Sequence, residues 1–376
     1  MYFYIPTKIF SEDKCIEKNA DYLSRYSGKA LIVTGRSSAY KTGALDDVIT
    51  ALDKNGISHC IFDQVTENPT DTIVNEIAEI GKAEGVALVV GIGGGSPIDA
   101  AKSASVLIAN PQCGKELLVN RIDVPHIPVI AVPTTAGTGT EATPYASIII
   151  TETGEKRGTA HRVFPDAAFV DTRYLRVVPM KVFNNTIVDS LGHLIESKLN
   201  RKANAYSNML CDYGLRIWGD SAKELFSDIH TTKERQSSYG NRLSDKSYEN
   251  FSVASTVAGM AISHAGTAIP HGISNCLTYD YGIPHGQAVG VFLTAYLRNM
   301  PDPKLSDEVL KLIGISDLND FEEKLGTILD PVKISSADKT RYINMMICSK
   351  ARNCPYIETQ EVLTDFFENN KLITIE

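Results

Sequence analysis

Val86-Ala87-Leu88-Val89-Val90-Gly91-Ile92-Gly93-Gly94-Gly95-Ser96-Pro97-Ile98-Asp99-Ala100-Ala101-Lys102 begins as an apolar, strand-length run, breaks on three consecutive glycines and resumes with helical spacing. Without a Cβ, the amides of such a turn can approach an anionic oxygen closely. Ser96 is the expected N-cap and Pro97 the expected first helical residue. The free amides and dipole of that helix N-terminus would then face a pyrophosphate. The stretch is not G-x-G-x-x-G, because Gly91 through Ser96 ends in serine, and not a Walker A loop, because Lys102 falls too late, inside the helical pattern.

The segments around this stretch repeat its alternation. Residues 30–34, 58–62 and 129–132 read as short buried strands, and 46–55, 70–84 and 97–109 as helices. Residues 146–151 and 158–160, joined by Glu152-Thr153-Gly154-Glu155, look like a hairpin, and 168–171 like a last strand. This βαβα order predicts a mainly parallel sheet covered on both faces. Beyond residue 178 the strand signal fades. Helical periodicity dominates 181–199, 205–228, 247–263, 287–299, 307–312, 318–328, 337–349 and 360–369, with a polar connection over 230–246. The expected architecture is an α/β dinucleotide-binding domain over 1–178 and an all-helical domain, carrying metal and substrate, over 179–376.

Composition narrows the class. The chain has 376 residues, 43% hydrophobic and 22% charged, which is ordinary for a soluble globular protein. A net charge of −8 argues against nucleic-acid binding. The apolar runs are too short to cross a bilayer, and Met1-Tyr2-Phe3-Tyr4-Ile5-Pro6 does not read as a signal peptide. Seven scattered cysteines with no CxxC fit reduced thiols in a cytoplasmic enzyme.

Two further loops extend the cradle. Pro133-Thr134-Thr135-Ala136-Gly137-Thr138-Gly139-Thr140-Glu141 follows a strand and offers hydroxyls to ribose, phosphate or a nicotinamide amide. Thr34-Gly35-Arg36-Ser37-Ser38-Ala39-Tyr40-Lys41 ends the first of the predicted strands. It lacks the acidic residue that would hold ribose hydroxyls, and its guanidinium, hydroxyls and ammonium suit a 2′-phosphate, so NADP(H) is preferred over NAD(H).

In the second half, Asp189 and His193 stand four apart on one helix face, and His271 and His285 each sit in a Pro-His-Gly triplet. One carboxylate and three imidazoles suit a divalent transition metal, with Gly272 and Gly286 leaving space for a ligand. Donor chemistry alone permits Fe(II), Zn(II), Mn(II), Co(II) or Ni(II). Of the other histidines, 59, 126, 161 and 230 read as surface or structural, and His264 as second to the site, a proton relay, a ligand or structural.

With these residues assembled, the chain resembles the iron-containing (group III) alcohol dehydrogenases over nearly its whole length. The resemblance rests on Gly93 through Asp99, Pro133 through Glu141 and Pro284-His285-Gly286. It is nearest to the NADP-using branch that includes 1,3-propanediol and butanol dehydrogenase types, where Gly35-Arg36-Ser37-Ser38 replaces a loop with Asp at the position of Gly35. The resemblance implies Fe(II), with Zn(II) as the alternative, held by Asp189, His193, His271 and His285. It implies pyrophosphate contacts from Gly94, Gly95 and Ser96, a nicotinamide side lined by Asp99, Thr134, Thr135 and Thr138, and Lys156 near the ribose. A homodimer is the family-level expectation, and the substrate is a small primary alcohol or its aldehyde. Asn275 replaces a histidine that many relatives carry four residues after the third ligand, and the usual early Phe-Gly is replaced around Phe10-Ser11. The alternatives are a glycerol or glycerol-phosphate dehydrogenase, a dehydroquinate synthase-like enzyme and a non-catalytic nucleotide-binding protein.

Overall fold

The computed structural model describes residues 3–226, 243–348, 353–356 and 359–376. They divide into two compact units, Tyr4–Val178, and Pro179–Glu376 together with Phe3.

The first unit contains β1 (Lys8–Ser11), α1 (Cys15–Lys18), β2 (Lys29–Thr34), α2 (Ser38–Thr42), α3 (Ala44–Lys54), β3 (His59–Phe62), α4 (Asp71–Ala83), β4 (Val86–Gly93), α5 (Gly95–Ala109), β5 (Val129–Pro133), β6 (Ser147–Ile150), β7 (Glu155–Gly158) and β8 (Ala167–Val170). Six strands form a parallel sheet in the order β1-β8-β5-β4-β2-β3. Side chains alternate across it, as the period of two requires. Ala30 and Ile32 join the core under α1 and α3, whereas Leu31 and Val33 join the core under α4 and α5. The sheet is therefore covered on both faces.

The register decides where function can sit. Thr34 pairs with Ile92, and Gly93 pairs with Pro133. The carboxyl ends of β2, β4 and β5 therefore lie side by side, and so do the three loops that leave them. Gly93 turns the chain at φ +147°, a conformation that side-chain-bearing residues rarely adopt.

Two local expectations are corrected. The second hairpin strand is Glu155–Gly158 rather than 158–160, because Gly154 at φ +69° closes the turn one residue before Glu155. Edge strand β1 escaped the sequence reading: its half-exposed residues carry no alternation, yet Phe10 stacks on Phe169 with ring centroids 5.0 Å apart.

The second unit contains α6 (Met180–Lys198), α7 (Ala205–Leu225), α8 (Asp245–Ala265), α9 (Ile269–Tyr281), α10 (His285–Gly290), α11 (Leu293–Arg298), α12 (Pro303–Ile313), α13 (Leu318–Ile328), β9 (Val332–Ile334), α14 (Ser336–Cys348), α15 (Gln360–Glu368) and β10 (Ile373–Ile375). It is helical apart from a three-residue parallel ladder between β9 and β10. Helix α6 is buried along nearly its whole length against α7, α8 and α10. Trp218, fully buried on α7, donates from Nε1 to Ile187 O at 2.9 Å. Of the polar connection over 230–246, residues 230–242, His230 included, lie outside the described residues. Ser244 caps α8, and Asp245 and Lys246 already belong to that helix. No helix among the described residues is long and apolar enough to cross a membrane.

Candidate active site

Within the second unit, α6 places Asp189, His193 and Glu196 along one face, at i, i+4 and i+7. The two Pro-His-Gly triplets are both helix starts. Pro270 and His271 lie in the first turn of α9, and Pro284 is the N-cap of α10, so that His285 is its first residue. Proline suits such positions because no amide donor is lost from the helix.

The four side chains converge. His271 Nε2 lies 3.3 Å and His285 Nε2 3.7 Å from Asp189 Oδ1. The His193 and His271 rings stack with centroids 4.3 Å apart, and the His271 and His285 centroids are 5.4 Å apart. Two donors bound tetrahedrally to one ion at about 2.1 Å stand about 3.4 Å apart, so the observed spacings fit a shared cation. Two buried atoms also ask for one. Asp189 Oδ1 and His271 Nε2 find no hydrogen-bond partner among the described residues, and an unsatisfied buried polar atom is costly. Asp189, His193 and His271 form a buried group whose ligand atoms all lie within 4.8 Å of one another, and His285, with its side chain 26% exposed, is the open side.

Electrostatics agree. Burial raises the Asp189 carboxyl pKa, but the His193, His285 and His271 imidazoles outweigh it and hold the group well below the usual carboxylate range. Burial opposes charge on His271, yet the carboxylates of Glu196 and Asp189 push its pKa up to about 10.

Glu196 is the functional residue that sequence reasoning missed. It is fully buried and pairs with His271 Nδ1, while its Oε1 accepts from the amides of Ala268 at 2.9 Å and His271 at 3.2 Å. The contact assigns one ring proton to Nδ1, so Nε2, on the Asp189 side, is the nitrogen that a metal would take once its own proton has left. The missed signal was a second acid, at i+7, on the Asp189/His193 face.

Gly286 is also reinterpreted. A Cβ there would lie 1.8 Å from Asn185 O, so the missing side chain makes room for the backbone of α6 and not for a ligand. His264 lies in the last turn of α8, which Gly266 terminates before α9 begins. Its Nδ1 lies 2.8 Å from Met260 O and its ring stacks on Phe3. Asn275 donates from Nδ2 to His271 O at 3.2 Å.

In the first unit, helix α5 starts two residues earlier than expected. Gly94, not Ser96, is its N-cap, and no side chain caps it. Ser96 lies in the first turn, with its hydroxyl accepting from Asn68 N at 3.0 Å. The amides of Gly94, Gly95 and Ser96 thus form an uncapped helix N-terminus. Positions 94 and 95 border Thr135 and Thr138, since Cβ atoms added there would meet those side chains at 3.3 and 2.9 Å. Thr134 N donates to Gly93 O at 2.8 Å, but its fully buried hydroxyl finds no partner among the described residues. Asp99 turns toward the protein and accepts from Thr140 Oγ1 at 2.6 Å and Ser147 N at 2.9 Å.

Gly35 leads from β2 into Arg36 and Ser37, both exposed, and Ser37 is the N-cap of α2, which carries Ser38 and Lys41. Arg36 Nε donates to Gln64 Oε1 at 2.9 Å, and Tyr40 OH donates to Asp63 Oδ2 at 2.8 Å, so the residue that follows β3 supplies an acid beside a loop that has none. Lys156 lies on β7 opposite Ile149.

Residues 6–172 match the family model described as iron-containing alcohol dehydrogenase, and residues 183–328 match the C-terminal model of the same family. The chain belongs to the iron-containing alcohol dehydrogenase family. It is an oxidoreductase of the alcohol dehydrogenase and aldehyde reductase type, in a family that uses iron with NAD(H) or NADP(H). It is similar to a 1,3-propanediol dehydrogenase of Citrobacter freundii, 30% identical over 295 residues that cover 76% of this chain and 72% of that protein. It is also similar to lactaldehyde reductase of Escherichia coli (strain K12), 29% identical over 282 residues covering 73% and 69% of the two chains. The crystal structure of an iron-containing alcohol dehydrogenase from Thermotoga maritima superposes with a TM-score of 0.86 at 35% identity, covering 97% of this chain and 98% of that one.

Proposed function

We propose that this iron-containing-family dehydrogenase interconverts small primary alcohols and aldehydes with NADP(H), and that Asp189, His193, His271 and His285 hold its metal. The observation that carries the reading is the pair of orphaned atoms, Asp189 Oδ1 and His271 Nε2, at the centre of the buried donor set. Three nitrogens and one oxygen suit Fe(II) and admit Zn(II), and the family favours iron. When bound, the ion supplies Lewis acidity toward a carbonyl or alcohol oxygen.

The remaining work belongs to the side chains. With a divalent ion bound, three neutral imidazoles and the Asp189 carboxylate would leave the ion and its ligands with a net charge of about +1, suited to a developing alkoxide. Glu196 keeps His271 in the tautomer that presents Nε2. His285 lines the exposed side, where a substrate oxygen enters. In the unit spanning 4–178, the amides at Gly94, Gly95 and Ser96 receive the pyrophosphate, Thr135 and Thr138 border it, and Lys156 lies toward the ribose. Arg36, Ser37, Ser38 and Lys41 receive the 2′-phosphate, with Gly35 giving the chain room to turn. The free thiols at Cys15, Cys60, Cys113, Cys211, Cys276 and Cys354 fit a reducing, cytoplasmic setting.

The test is anaerobic purification, metal removal, and re-addition of Fe(II) or Zn(II) while NADPH or NADH absorbance is followed with a panel of short aldehydes. Oxidation that needs both metal and aldehyde and runs faster with NADPH supports the proposal. Nucleotide binding with no turnover on any carbonyl refutes it, and faster turnover with NADH refutes the cofactor assignment.

A further inference from the structure

Lys102 lies on α5, the helix whose N-terminus forms the glycine cradle, and its side chain is fully buried. Its Nζ sits 2.5 Å from Thr140 O, 2.8 Å from Thr140 Oγ1, and 2.9 Å from both Thr143 O and Tyr145 O. An ammonium has three donors and no acceptor, so this ring of carbonyls and a hydroxyl is the surrounding it needs once it leaves water. One turn earlier on the same helix, Asp99 accepts from Thr140 Oγ1 and from Ser147 N. The Thr140 hydroxyl is thereby a relay, accepting from Lys102 and donating to Asp99.

These contacts fasten the far end of the threonine loop. Its near end is fastened by the bond from Thr134 N to Gly93 O. Between the two anchors lie Thr135 and Thr138, the side chains that border Gly94 and Gly95. The near end of the loop is thus tied to the last residue of β4 and the far end to α5, the helix that begins at the same glycine turn, and the far tie is made through a buried cation that faces the interior of the loop.

We infer that Lys102, with Asp99, is a positioning residue for nucleotide binding: it holds the threonine loop against the glycine turn and does not touch the nucleotide. The inference rests on the reading of that cradle as the NADP(H) site. It reassigns Asp99 from nicotinamide contact to loop support.

Lys102→Met keeps the length of the side chain and removes the charge. Thr140→Val keeps the shape and removes the relay. The metal-loaded enzyme is titrated with NADPH by fluorescence, and KM for NADPH, kcat at saturating NADPH and metal content are measured for each variant. Losing hydrogen bonds to a charged group, each variant is expected to weaken NADPH binding by about tenfold or more and to raise KM for NADPH in parallel. Metal content and kcat at saturation are expected to stay within about twofold, a split that general unfolding would not produce. If the wild type binds neither NADPH nor NADH, the underlying reading of the cradle fails. If the wild type binds and Thr140→Val, together with any folded Lys102→Met protein, binds within twofold of it, the positioning role is overturned.

Discussion

Gly286→Ala isolates one geometric requirement of the proposed metal site. The added Cβ would stand 1.8 Å from Asn185 O and 2.6 Å from Asn185 C, both backbone atoms of α6. A carbon and a carbonyl oxygen tolerate no approach closer than about 3.3 Å, so α10 must retreat by about 1.5 Å. That retreat opens the gap between His285 Nε2 and Asp189 Oδ1, now 3.7 Å, to roughly 5 Å. One ion with bonds of about 2.1 Å cannot reach two atoms more than about 4.2 Å apart. The variant therefore keeps three donors and loses the fourth, on the open side of the site. The overpacking should cost about 1–3 kcal/mol of stability, and the displaced donor should lower turnover about a hundredfold. The assay is metal content by elemental analysis alongside NADPH-dependent aldehyde reduction, with circular dichroism and NADPH titration as controls for folding. Gly282→Ala is the comparison, since nothing lies within 4 Å of its Cβ and its φ of +65° costs only about 1–2 kcal/mol. A Gly286→Ala protein that holds a full complement of metal and reduces aldehydes at the wild-type rate would refute the packing argument.

Three further predictions concern His271 and the acid that holds it. Glu196→Gln removes the charge that orients the ring, and metal affinity measured by chelator competition is expected to fall about 10- to 100-fold with little change in NADPH binding; unchanged affinity would deny Glu196 its role. The second concerns pH in protein stripped of metal. Because the His271 pKa is raised from an ordinary 6.5 to about 10, its contribution to folding is complete below 6.5 and is lost as pH rises through 10. Melting temperature should thus decline across that window, whereas a His271→Asn variant should lack the decline, and a wild-type curve that rises there would contradict the assignment. The same proton must leave when metal binds, so loading near pH 8 should release acid detectable with a pH indicator.

The sequence exposed what depends on local pattern and hid what depends on approach. Strand β4, its glycines and helix α5 were legible because a buried parallel strand and an interior helix are both continuous apolar runs, and only the glycines between them break the run. Asp189, His193, His271 and His285 were legible because their residue types suit one chemistry. Glu196 was not, since an acid at i+7 on a helix looks the same whether it faces water or a histidine. Lys102 was discounted as a phosphate ligand for its spacing, and nothing in its neighbours announced the carbonyls of Thr140, Thr143 and Tyr145. The Pro-His-Gly triplets carry the argument furthest. As sequence, the glycine after His285 reads as space left for substrate. In the fold that space is filled by the Asn185 carbonyl, and the glycine serves the proposed metal site by letting α10 lie close enough to α6 for His285 to meet Asp189. A residue beside a ligand can therefore be required by the site without touching anything bound there. Substitution and metal analysis can separate that role from substrate contact, because a space-making glycine for substrate would change which aldehydes react, while a helix-packing glycine changes whether the ion stays.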